Sequence, residues 1–527
     1  MVKTIKNRGL GVFILLCLVC VFGCKQDLKQ EVIEEEVNAT GYFIEHYRSQ
    51  FHFTPEEKWM NDPNGLVYKD SLYHLFYQYY PDSTIWGPMH WGHAVSRDMM
   101  DWKHKPVALF PDEHGFIFSG SAVVDYENTS GFGTDDNPAM VAIFTYHDAE
   151  SEIAGNNNFQ TQGIAYSLDN GDNWVKYQAN PVIENAGFKD FRDPKVFWNK
   201  KEQNWSMLLV AGDHLQIWKS DNLKEWYKVS EFGKDKGTHG GVWECPDLFP
   251  LKIEGTEEVK WVLLISINPG APNGGSGTQY FIGDFDGSTF TTDQEESKWI
   301  DLGRDNYAGV TYNGTPNNER VFIGWMSNWD YASDTPTEKW RGSMTVPRTL
   351  TLQKVGRDVS LFNYPLKSFE KHVALAYPES LIEILPTRKR IIPLKYSNQS
   401  KIQFTLKSPN VQVYFKNKNG DSLSIDLNRN KKLVTFDRRK SGKVDFNEKF
   451  SKGVQQMNIS DLTDDPIEIV MLLDHSSIEL FINGGQYVMT NQIFPTEFFR
   501  SISIVNTSEV ELKIDDFTEH KVERVWD

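Results

Sequence analysis

Three acidic residues in this sequence occupy closely similar settings. Asp62 lies in Trp59-Met60-Asn61-Asp62-Pro63-Asn64-Gly65, Asp193 in Phe191-Arg192-Asp193-Pro194, and Glu244 in Trp243-Glu244-Cys245-Pro246-Asp247. Each is followed within two residues by proline, and each leads into an apolar run: Leu66 to Tyr68, Lys195 to Trp198, and Leu248-Phe249. Proline offers no N–H and holds the preceding residue in extended backbone. Asn64-Gly65 then permits a tight turn, so Asp62 is expected at the mouth of a strand. Paired carboxyls are what glycosidic cleavage requires: one attacks or activates water, and the other protonates the leaving oxygen. Glu244, between Trp243 and Cys245, sits where water is withdrawn from a carboxyl, as a general acid requires. Taken singly, each acid also has an ordinary reading. Asp62 fits an Asx turn at a strand start, Asp193 a surface turn, and Glu244 an edge glutamate.

The acids are 131 and 51 residues apart, so only a fold that gathers strand entrances can join them. From His46 to about Lys354 the chain is dense in short β-like runs separated by Gly, Pro, Asn and Asp. No long segment carries a 3.6-residue apolar period, and the fold class is all-β. A strand followed by Ser, Asp and Trp recurs: Ser96, Asp98 and Trp102; Ser167, Asp169 and Trp174; Ser220, Asp221 and Trp226. The tryptophans are 72 and 52 residues apart, and a related piece, Phe281 to Gly287, follows. Repeats of this length suggest propeller blades, and the spacing predicts a five-bladed β-propeller over residues 46–354. In such a fold, equivalent blade positions converge on a central funnel. Beyond 354 only Trp526 remains of the tryptophans. Alternating runs such as Ser477 to Ile482 predict antiparallel sheets, and a β-sandwich over 355–527.

The N-terminus reads as a targeting segment. Lys3, Lys6 and Arg8 precede a short apolar stretch, Gly9 to Phe22, that ends Val21-Phe22-Gly23-Cys24. This resembles a bacterial lipoprotein signal over residues 1–23, with lipid attached to Cys24. The acidic stretch 24–45 is a flexible tether. Export to a bacterial membrane, on its periplasmic face or at the cell surface, follows. Three of the four cysteines lie in the signal, leaving Cys245 in the folded body and no intrachain disulfide. The net charge of −17 argues against nucleic acid as partner. His90 and His93 have no acid or cysteine cluster to complete a metal site. No metal and no cofactor are expected. The glycine-rich run Gly270 to Gly277 lacks the Lys-Ser/Thr of a phosphate loop and reads as a flexible loop at the funnel rim.

The three acid motifs together resemble glycoside hydrolase family 32, the β-fructofuranosidases. Further matches are Phe76-Tyr77-Gln78, Trp86 to His93, Phe118-Ser119-Gly120-Ser121, Asp305 to Ala308, Gly324 to Trp329 and Ser476 to Phe481. The resemblance spans about residues 46 to 525. It implies a five-bladed propeller with a sandwich, and a retaining mechanism. It makes Asp62 the nucleophile, Glu244 the acid/base, and Asp193 the residue that holds sugar hydroxyls. Asn61, Gln78, Trp86, Phe118, Ser119, Arg192 and Trp329 match the wall of the fructose pocket, with Trp325 as the alternative to Trp329. The expected substrate is a fructan or fructo-oligosaccharide, attacked from its end. Endo-levanase, sucrose-preferring invertase and fructosyl transfer stay open as alternatives. So do an inverting arabinan hydrolase and a non-catalytic fructan-binding lipoprotein. The last would be expected to lack at least one of the three acids.

Overall fold

The computed structural model describes residues 43–376, 379–407, 410–462 and 466–526. The signal, most of the tether and Cys24 lie outside them. Five antiparallel sheets follow one another along residues 58–365. Their inner strands are Lys58–Lys69, Phe116–Val124, Phe191–Asn199, Val242–Lys252 and Tyr307–Thr311. Each packs against the next, and the fifth packs against the first, so the ring closes as a five-bladed β-propeller. Closure is reinforced by Trp340–Arg341, which pairs in parallel with Lys58 and Trp59 of the first blade.

The repeated Ser-Asp-Trp pieces fall at one structural position, the corner between the third and fourth strands of a blade. The Ser96 hydroxyl bonds Asp98, and Asp98 Oδ1 accepts the N–H groups of Met100 and Asp101. Ser167 and Asp169 do the same in the second blade. In the third blade the role falls to Asn222, one residue after the expected Asp221. In the fourth, Asp286 accepts from Ser288 and Thr289. Short polar side chains satisfy the turn's N–H groups locally, which is why the pattern repeats.

The fifth blade does not end at residue 354. Its outer strand, Asp358–Pro365, pairs with Arg348–Val355, so position 354 falls inside a hairpin. After a short 3₁₀ turn, Lys367–His372, two six-stranded sheets pack as a β-sandwich around an apolar core that includes Phe404, Phe415, Phe436, Leu480 and Ile514. Residues 43–57 lie against this sandwich: Trp526 donates to the Ser49 carbonyl (2.7 Å), and Asp474 accepts the N–H of Gln50 (2.8 Å). A second core joins Trp59, Met60 and Trp325 of the propeller to Leu472, Phe481 and Val525.

Candidate active site

All five inner strands carry a bulge at the same level. Ladder pairing slips between Met60 and Pro63, between Ile117 and Gly120, opposite Leu208 and Val210 (at Arg192 to Lys195), between Glu244 and Asp247, and between Tyr307 and Val310. An inner strand is an edge strand facing the channel, where proline and bulges are tolerated. The prolines therefore mark bulges inside continuous strands, not turns at strand mouths. At these bulges the chain aims Asp62, Ser119, Asp193, Glu244 and Tyr307 into one funnel. Asp193, Cys245 and Ala308 adopt left-handed backbone there, with φ of 64°, 45° and 53°. Gly65 does so as well, and an added Cβ would meet Phe76 Cδ2 at 2.6 Å.

The three acids share a cleft of about 270 Å³, and every other residue assigned to the pocket from sequence lines it too: Asn61, Gln78, Trp86, Phe118, Ser119, Arg192 and Trp329. Trp325 does not. It is fully buried beneath Trp329, with ring centroids 4.9 Å apart. Asp62 is held from both sides: Ser119 donates to Oδ2 (2.7 Å) and Asn61 to Oδ1 (3.0 Å). Asn61 is itself fixed by the Trp59 indole (2.8 Å). Burial and the charge of Glu244 push the Asp62 carboxyl up, and these hydrogen bonds oppose the rise.

Glu244 is not framed by Trp243, whose ring is buried in the core between the third and fourth blades. Its surroundings are Arg192 and Tyr307. Arg192 donates to Oε1 through Nε (3.2 Å) and Nη2 (2.9 Å), and the Tyr307 hydroxyl donates to Oε2. Burial and the Glu244 charge hold the Tyr307 phenol well above its ordinary range, so it stays a donor. Asp193 accepts the Cys245 N–H (2.9 Å), and Thr145 fixes its own N–H (3.0 Å). Burial raises its pKa to about 7; Arg192 opposes that, while Glu244 and Asp62 add to it. The Cys245 thiol lies between two acids, 3.5 Å from Asp62 Oδ2 and 3.6 Å from Asp193 Oδ2. Burial and the charge of Asp193 keep it protonated.

Residues 52–365 match the family described as Glycosyl hydrolases family 32 N-terminal domain, and residues 383–521 match Glycosyl hydrolases family 32 C terminal. The chain belongs to glycosyl hydrolase family 32. Family 32 relatives include a levanase from Bacillus subtilis, 42% identical over 531 residues, covering 99% of this chain and 76% of the levanase. An extracellular exo-inulinase from Aspergillus niger is 38% identical over 520 residues, covering 91% of this chain and 95% of the inulinase. The crystal structure of an exo-inulinase from Aspergillus awamori matches with a TM-score of 0.84 at 35% identity, over 92% of this chain and all of that one. The chain is thus a glycosidase.

Sequence reasoning missed several residues of this family 32 site. Tyr307 stood in a recognised motif without a role, although its place on the fifth inner strand is equivalent to those of the acids. His147, Glu152, Phe159, Gln160 and Asp190 also line the cleft. Most of these come from the connection between two strands of the second blade, which carries no repeat to betray it. The glycine-rich run is wedged between the sandwich and the segment that bears Trp329, whose N–H donates to Ser276 Oγ (3.2 Å). Asn273 bonds Gln456 of the sandwich, and an added Cβ on Gly275 would meet Asn328 Oδ1 at 2.0 Å.

Proposed function

We propose that this glycosidase removes terminal fructose from fructans and fructo-oligosaccharides with retention of configuration. The observation that carries the reading is the meeting of Asp62, Asp193 and Glu244 in one cleft from three separate blades. In this mechanism Glu244 gives its proton to the glycosidic oxygen while Asp62 attacks the anomeric carbon. The fructosyl ester that forms is hydrolysed by water, from which Glu244 now takes a proton. Asp193 accepts hydrogen bonds from adjacent ring hydroxyls and orients the furanose. Arg192 and Tyr307 direct the two oxygens of Glu244, and Ser119 and Asn61 aim Asp62.

Exo action is supported by the relatives named exo-inulinase. The relatives named levanase and exo-inulinase support the substrate class. Incubation with levan, inulin and sucrose, followed by separation of products, is the test. Fructose alone from the first minutes is expected, and an early ladder of oligomers would exclude exo attack. NMR of the nascent product reads its anomeric form; the inverted anomer would sink the retaining mechanism.

The proposal includes export and lipid attachment at Cys24. It rests on the basic and apolar stretches that precede Val21-Phe22-Gly23-Cys24. Relatives named extracellular support export. Acyl chains would hold the protein by burying CH₂ groups at about 0.8 kcal/mol each. In a bacterial host, wild-type protein is expected in the membrane fraction and Cys24→Ser outside it; identical fractionation would refute the anchor.

A further inference from the structure

The cleft has a wall that the hydrolytic steps do not use. His147 closes the strand Met140–His147, and Gln160 opens the strand Gln160–Ser167 directly opposite it. Between them, the short helix Ala149–Ile153 carries Glu152 at the lip, its side chain 46% exposed.

The hydrogen bonds fix the state of this wall. Gln160 Oε1 accepts the Phe191 N–H (2.8 Å), which turns its amide nitrogen toward His147 Nδ1 (3.3 Å). His147 Nδ1 is therefore the acceptor, and its proton sits on Nε2. That nitrogen lies 3.1 Å from Glu152 Oε2. Burial holds the imidazole below its ordinary pKa despite the Glu152 charge, so a neutral ring faces the carboxylate. The ring is locked by stacking on Phe118, with centroids 4.2 Å apart and planes within 4°. Phe118 in turn meets Trp86 edge-on. Among the described residues Glu152 Oε1 has no hydrogen-bond partner, although its carboxylate lines the cleft.

The position of this wall indicates what it faces. Gln160 holds Phe191, the next residue is Arg192, and Arg192 holds Glu244. His147 also feels the Arg192 charge directly, so at the lip the wall stands beside Arg192 and the proposed acid/base it holds, where the leaving group departs. A buried-side anchor with one free anionic oxygen at the lip suits sugar hydroxyls, since carboxylates accept from two O–H groups at once.

We infer that Glu152, oriented by His147, is a specificity-determining residue that binds hydroxyls of the second sugar unit, on the leaving side of the scissile bond. This rests on the fructan-hydrolase reading above. The test compares methyl β-fructofuranoside, whose leaving group is one carbon, with a fructan trisaccharide. The kcat/KM ratio of trisaccharide to methyl fructoside is measured for wild type, Glu152→Ala and Glu152→Gln. In Glu152→Ala the ratio is expected to fall about tenfold, as for loss of a hydrogen bond to a charged group. Glu152→Gln, which keeps one acceptor, is expected to lie between. An unchanged ratio overturns the inference, and so does a parallel fall on both substrates, which would mark a structural role. If wild type releases fructose from neither substrate, the function reading itself has failed.

Discussion

At the scale of residues, the site is a problem of placing one proton among three carboxyls. Asp62 and Asp193 are both pushed up by burial and by the neighbouring acids. Burial and the charges of Glu244 and Asp62 hold the Asp193 carboxyl up to about 7, so it is the group that loses its proton there. kcat/KM is expected to fall as pH rises through about 7, when that proton is lost. Asp193→Asn takes away the titrating carboxyl and is expected to remove the alkaline limb; an unmoved limb would dissociate Asp193 from the titration. Asp62→Asn and Glu244→Gln should each cost at least roughly 10²–10⁴ in kcat while leaving the melting temperature near wild type. Near-normal turnover in either variant would remove it from the mechanism.

At the scale of elements, the propeller axis is plugged directly behind the acids. Lys195 donates to the Thr311 carbonyl (2.5 Å) and pairs with Asp247 (3.1 Å), and Asp247 also accepts the Thr311 N–H (2.6 Å). Asn313 reaches the carbonyls of Ala122 and Val196, tying three blades together. Burial lowers the Lys195 pKa in spite of Asp247, so the ammonium depends on that partner. Asp247→Ala is expected to destabilise the protein by about 3–5 kcal/mol, the cost of leaving a buried charge unpaired. Urea unfolding measures it, and a loss under about 1 kcal/mol would mean water replaces the carboxylate. None of this plug was legible in the sequence, because Lys195 and Asp247 read as ordinary strand residues until the ring closes. Three blades were legible from corners that repeat Ser, Asp or Asn, and Trp, a fourth from Asp286, and the fifth only from the length of the region. The bulges were half legible: Pro63, Pro194 and Pro246 announced special backbone, but a turn and a bulge look alike without the neighbouring strand. Ser119-Gly120 and Tyr307-Ala308 have no proline, and so their equivalence to the acids emerged only from register.

At the scale of the whole molecule, the sandwich is more than an appendage, because it pins the segment that bears Trp329. Asp330 is bound by Arg304 (2.5 Å) and by Lys449 of the sandwich (2.5 Å). Tyr331 takes a hydrogen bond from Arg438, also of the sandwich (2.6 Å). Asn447 donates to the Asp330 carbonyl (3.2 Å). Lys449→Ala and Asn447→Ala together are expected to raise KM severalfold with kcat nearly unchanged, by loosening Trp329; equal KM values would show that the propeller alone holds it. The same interface contains a pH-dependent contribution. His52 is buried 2.7 Å from Asp474 and 3.6 Å from Glu479, and Arg348 lies 3.2 Å from Glu479. Burial alone would lower the His52 pKa, but the two carboxylates outweigh it and hold the pKa at about 9, against an ordinary 6.5. The folded state thus binds the imidazolium more tightly than the unfolded chain does. This stabilisation is complete below pH 6.5 and is lost as pH rises through about 9. The shift corresponds to about 3 kcal/mol. Unfolding free energy should therefore fall between those pH values in wild type and show a flatter slope in His52→Gln. Parallel slopes in the two proteins would mean that His52 is uncharged in the folded interface.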